Sequence, residues 1–116
     1  MPADDLFESS IRSSGDLAGV FEYDGDTGYF YLCATDSSSG NRVLDAIHIV
    51  SGSLDFGQDD ISVRWDRNEQ RAGLFIRGTL WAVFDSMDRS KLGGDYRAST
   101  GSQVSAEVAS HFERSV

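Results

Sequence analysis

Residues Ala18 to Thr35 read AGVFEYDGDTGYFYLCAT, and the centre of that stretch decides the fold. Asp24-Gly25-Asp26-Thr27-Gly28 separates two runs rich in aromatic and β-branched residues, Ala18 to Tyr23 and Tyr29 to Thr35. Asp-Gly and the second glycine supply the positive φ that a tight hairpin loop needs, so the two runs are antiparallel strands joined locally.

The same alternation of apolar runs and turn residues continues on both sides. Asp36-Ser37-Ser38-Ser39-Gly40-Asn41 turns the chain into Arg42 to Val50, and a longer loop, Ser51 to Asp60, leads to Ile61 to Asp66. There Ile61, Val63 and Trp65 alternate with Ser62, Arg64 and Asp66, which places Trp65 on a dry face. Arg67-Asn68-Glu69-Gln70 turns into Arg71 to Arg77, and Gly78 turns again into Leu80 to Asp85. In that segment Leu80, Ala82 and Phe84 fall on one face and Trp81 and Val83 on the other. A weaker extended segment spans Asp95 to Ser99.

The ends read differently. From Gln103 to Glu113 the apolar residues Val104, Val108 and Phe112 recur every fourth position, and Thr100 with Gln103 matches a capping box. This predicts a C-terminal amphipathic helix that covers one sheet face and accounts for Trp81, Val83, Tyr29 and Tyr31 on what would otherwise be a wet side. Leu6, Phe7 and Ile11 fit a short helical turn. The expected architecture is a single mainly β domain over residues 1–116, β-rich α+β in class: an antiparallel meander sheet or partly open barrel of about six to seven strands, closed by the helix.

The chain has 116 residues, nineteen acids against ten bases, and a net charge of −9. That balance repels phosphate backbones, so nucleic acid is not an expected partner. Residues 1–60 hold twelve of the acids and only Arg12 and Arg42 as bases, so one half supplies nearly all of the field. Cys33, the single cysteine, has no internal disulfide partner and sits in an apolar run, as in a reducing compartment. The acidic N-terminus lacks the basic and apolar segments of a signal peptide, and no run is long enough to cross a bilayer as a helix. A cytoplasmic protein is expected, with no membrane association.

Asp24-Gly25-Asp26-Thr27-Gly28-Tyr29-Phe30-Tyr31, Val43-Leu44-Asp45-Ala46-Ile47-His48-Ile49 and Trp81-Ala82-Val83-Phe84-Asp85 together resemble a family of small acidic bacterial proteins described only as a domain of unknown function. The resemblance covers the middle of the chain, from about Val20 to Tyr96. It implies a bacterial origin and carries no catalytic residue over to this sequence.

Among residues that bear chemistry, Asp26-Thr27-Gly28 spells the triplet of aspartic proteases, but here it follows a polar turn open to water and not an apolar strand that delivers it to a dry dyad. Asp24 and Asp26, or Asp59 and Asp60, offer oxygen ligands without the twelve-residue calcium-loop pattern. His48, His111 and Cys33 give no zinc spacing, so neither a metal nor a cofactor is expected. Asp45 and His48 lie in an otherwise apolar strand and, three positions apart, point to opposite faces. Asp45 therefore needs its own partner, with Arg64 or Arg71 as donors, and His48 falls with Leu44, Ala46 and Val50. Serines are many, but no nucleophile elbow is present.

Two functions follow. One is a non-catalytic protein-binding module whose acidic surface, with Asp24, Asp26, Asp36 and Asp55 beside Tyr29 and Tyr31, meets a basic protein partner, as an immunity-type inhibitor meets its toxin. The alternative is a small-ligand-binding protein or hydrolase in which Asp45, His48 and the Asp24 to Tyr31 hairpin converge on one pocket. Homo-oligomers are compatible with either.

Overall fold

The computed structural model describes residues 5–35, 42–52, 54–96, 104 and 106–112. Among these residues eight strands form two four-stranded antiparallel sheets, each a simple meander. The first holds β1 (Leu6–Ile11), β2 (Leu17–Tyr23), β3 (Thr27–Ala34) and β4 (Arg42–Ser51), and the second β5 (Ile61–Trp65), β6 (Arg71–Ile76), β7 (Thr79–Asp85) and β8 (Lys91–Gly93). The expectation of one meander sheet or a partly open barrel is thereby corrected to two separate sheets. Their inner faces pack on each other: Phe21, Phe30, Leu32 and Ile49 of the first join Leu74, Ile76, Ala82 and Phe84 of the second in one core. The Phe30 and Phe84 rings meet at 5.2 Å between centroids. Each such fully buried phenylalanine, leucine or isoleucine contributes about 1.5–3 kcal/mol of transfer free energy, which makes this layer a large source of stability.

The Asp24 turn forms where the sequence places it. Gly25 takes φ +96°, and the Asp24 carboxylate accepts the backbone N–H groups of Asp26 and Thr27 at 3.0 and 2.8 Å. Leu6, Phe7 and Ile11, expected on a helical turn, lie instead on edge strand β1, paired with β2 from Leu6 opposite Tyr23 to Ile11 opposite Ala18. Three apolar points fit either period; the free edge of β2 decides for the strand. Trp65 is only partly buried at the rim of the core, where its indole N–H donates to the Ser10 carbonyl at 2.9 Å.

Bulges interrupt the alternation. Leu74 faces Ala82 and Phe75 faces Leu80, so Trp81 is an extra residue in β7. Leu80 therefore joins Val83 on the outer face while Trp81 joins Ala82 and Phe84 in the core, in contrast to the unbroken period of two. In β4, Gly28 faces Val50 and Tyr29 faces His48, which makes Ile49 the extra residue; Leu44 is a second one. Ile49 and Val50 are consequently both buried.

Beyond β8 the chain leaves the second sheet for the first. Gly93, Gly94 and Asp95 take positive φ in succession (86°, 114° and 49°), the Gly94 N–H bonds the Trp81 carbonyl, and the N–H groups of Asp95 and Tyr96 bond His48 and Ile49 of β4. A Cβ on Gly93 would stand 2.1 Å from the Trp81 carbonyl oxygen, so only glycine fits that crossing. Of the expected segment Asp95 to Ser99, residues 97–99 lie outside the described residues.

The closing amphipathic helix expected from Gln103 to Glu113 is not supported: α1 spans Ala106–Ala109, followed by a 3₁₀ turn, Ser110–Phe112. Its expected cap residues, Thr100 and Gln103, lie outside the described residues. Val104, Val108 and Phe112 nevertheless pack on Phe75, Leu80 and Val83, the outer face of the second sheet. Phe112 lies directly over Gly73, where an added Cβ would come within 2.9 Å of its ring.

Candidate functional site

The outer face of the first sheet has no such cover among the described residues. Tyr29 and Tyr31 project from β3 with ring centroids 5.9 Å apart and planes inclined by 18°, a stacked pair. His48, opposite Tyr29 on β4, meets its ring edge to face at 5.4 Å. Phe7 and Ile11 of β1 are 55% and 60% exposed, and Val20 of β2 lies between them and Tyr31. Glu22 faces Tyr29 across the sheet. Burial first, and the Glu22 carboxylate next, push the Tyr31 phenol above its ordinary value, with Asp24 acting in the same sense. The Tyr31 ring is therefore partly dry and stands beside negative charge.

His48 is held from two sides. Its Nε2 lies 2.8 Å from the Ser51 hydroxyl and its Nδ1 3.2 Å from the Asp95 carboxylate. The bulge at Ile49 makes the first contact possible, because in a regular strand residues three apart face opposite ways. The crossing at Gly93 and Gly94 makes the second. Ser51, His48 and Asp95 thus stand in the order hydroxyl, imidazole, carboxylate, which orients the ring. The arrangement is open to water, with the Asp95 side chain 72% exposed. The Gly52 N–H beside Ser51 is already given to the Asp26 carbonyl.

Other candidate residues lie elsewhere. Asp45 points to the opposite face from His48, as the spacing requires, but its partner is Lys91 of β8 at 3.0 Å and not Arg64 or Arg71. That hydrogen bond holds the carboxyl below its ordinary value. Backbone N–H groups of Thr27 and Asp26 do the same for Asp24, which spends its carboxylate on shaping the turn. Asp26 stands beside it at the hairpin tip. Asp55 accepts the Tyr96 hydroxyl at 2.9 Å and pairs with Arg77 at 3.5 Å. Asp36 lies outside the described residues. Tyr29, Tyr31 and His48 are brought together; Asp45 and Asp55 are not part of that group. Ser51 and Asp95 escaped sequence reasoning, although the Gly93-Gly94 pair marks the sharp turn that delivers Asp95.

A family model described as an uncharacterized protein conserved in bacteria, DUF2251, matches residues 2–101. The chain belongs to this family. The match extends the resemblance through β1 and to the end of the crossing, so both sheets lie within the family's unit. No curated protein and no solved structure matches the chain. Among the described residues of this DUF2251 chain, no group of histidine, cysteine and acidic side chains is placed to hold a metal ion, and no helix is long and apolar enough to cross a membrane.

Proposed function

We propose that this DUF2251 protein is a non-catalytic protein-binding module and that the outer face of its first sheet is the contact surface. The observation that carries the reading is the contrast between two equivalent faces. The second sheet buries its outer apolar residues under Val108 and Phe112, whereas the stacked Tyr29 and Tyr31, with Phe7 and Ile11 two strands away on the same face, point outward. Rigid tyrosines offer large contact area at small entropic cost, and they recur as anchors where proteins meet. Glu22, Asp24 and Asp26 around them favour a basic partner. A second copy of the chain fits less well, because two faces of one sign repel. An inhibitor of the immunity type, which covers a basic toxin, is one class with this surface chemistry, and a cytoplasmic setting suits it.

Replacing Glu22, Asp24 and Asp26 with their amides should slow association with the partner, and added salt should slow the wild type similarly, since both remove steering. Tyr29→Ala with Tyr31→Ala should chiefly hasten dissociation. Binding indifferent to all three changes would remove the reading.

A hydrolytic reading has one observation in its favour, the Ser51, His48 and Asp95 relay at 2.8 and 3.2 Å. Acyl transfer also needs donors for the developing oxyanion and a water-excluding cleft. The exposed Asp95 and the engaged Gly52 N–H weigh against both. Covalent labelling of Ser51 by a fluorophosphonate, lost in His48→Ala, would reverse the order of the two readings.

A further inference from the structure

Among the described residues, the second sheet carries an arginine whose buried Nε has no acceptor. In a chain with nineteen acids against ten bases, Arg12, Arg71, Arg77 and Lys91 each meet a carboxylate. Arg64 does not. Its guanidinium lies over the Phe75 ring, 4.0 Å from the centroid, and its Nε is buried with no hydrogen-bond partner. A buried donor left unsatisfied is costly, and native proteins keep few of them.

Arg64 also borders an open groove of about 430 Å³ between the sheet and the terminal helical turn. Phe75 and Leu80 line it from the sheet, Ala109 and Phe112 from the turn, and Thr79 near the β6–β7 hairpin. Phe75, Leu80, Ala109 and Phe112 give it an apolar floor, and one cation stands among them.

We propose that this groove binds a small organic carboxylate with a flat apolar body, the carboxylate taken by Arg64 and the body lying against Phe75, Leu80 and Phe112. A planar guanidinium suits a carboxylate because two parallel N–H groups match its two oxygens. The stacking on Phe75 limits the arginine's freedom before any ligand arrives, so less entropy is lost on binding. The groove is of the size that small ligands occupy, and it is separate from the tyrosine face of the first sheet.

The probe is 3-phenylpropionate, compared with its neutral amide of the same shape, titrated into the full chain while the backbone amide resonances of Gly78, Thr79, Leu80 and Ala109 are followed. Saturable shifts at those positions are expected, with the amide binding about tenfold more weakly, as loss of a charge-assisted pair entails. Arg64→Gln should bring acid and amide to the same affinity, and Arg64→Lys, which keeps the charge but not the fork, should fall between. If the glutamine variant does not fold, the acid-to-amide comparison in the wild type still decides. Equal binding of acid and amide would mean an apolar groove only, and absence of shifts at these amides would mean that the Arg64–Phe75 stack is structural; either overturns the proposal.

Discussion

Asp95 grips His48 twice: its backbone N–H bonds the His48 carbonyl at 3.1 Å, and its carboxylate reaches the ring Nδ1 at 3.2 Å. One residue thereby pairs with the edge strand of the first sheet and orients a side chain on its outer face. It does so at φ 49°, a left-handed conformation that asparagine, aspartate and glycine tolerate and β-branched residues do not. Asp95→Asn should therefore lie within about 0.5 kcal/mol of wild type in urea unfolding, whereas Asp95→Val should cost about 1–3 kcal/mol. Equal midpoints for the two variants would contradict the crossing geometry.

Asp66 is the one buried charged residue among those described, at 4% exposure. Its carboxylate accepts the backbone N–H groups of Gln70 and Arg71 at 2.9 and 3.2 Å and the Arg71 guanidinium at 3.1 Å. Asp66→Ala strands these donors and should cost about 3 kcal/mol, measured as a lower urea midpoint at unchanged slope. Asp66→Asn keeps one acceptor oxygen and should lose roughly half as much.

Stability should decline in acid, and Asp45 should contribute to the decline. The hydrogen bond from Lys91 holds its carboxyl below the ordinary 3.8. A depressed carboxylate adds stability above its unfolded-state value and loses it as pH falls through the folded one. The thermal midpoint should therefore stay level from about pH 7 to 5 and fall below about pH 4. Asp45→Asn should fall less steeply over the same acid range; a curve parallel to wild type would remove the Lys91 pair from the account.

The hairpins were legible in the sequence because glycine and Asp-Gly turns act locally, as at Gly25 and Gly78. The opposite orientation of Asp45 and His48 was legible too, since no bulge falls between them. What escaped was set by long-range pairing. The bulges at Ile49 and Trp81 shift the phase of a strand without any local mark, and they decide that Ser51 joins His48 and that Trp81, not Leu80, enters the core. Lys91 could not be named for Asp45 because β8 is three residues long, too short to announce itself. The terminal pattern of Val104, Val108 and Phe112 correctly marked a packing stripe but overstated the helix that carries it.

Site-specific photo-crosslinking in bacterial cells tests the docking face most directly, with p-benzoylphenylalanine placed at Tyr31 and, as a control on the second half of the chain, at the exposed Met87. The account predicts a discrete adduct with a basic protein from position 31, weakened when Glu22, Asp24 and Asp26 are replaced by their amides, and none from position 87. Equal adducts from both positions, or none from position 31, would contradict it.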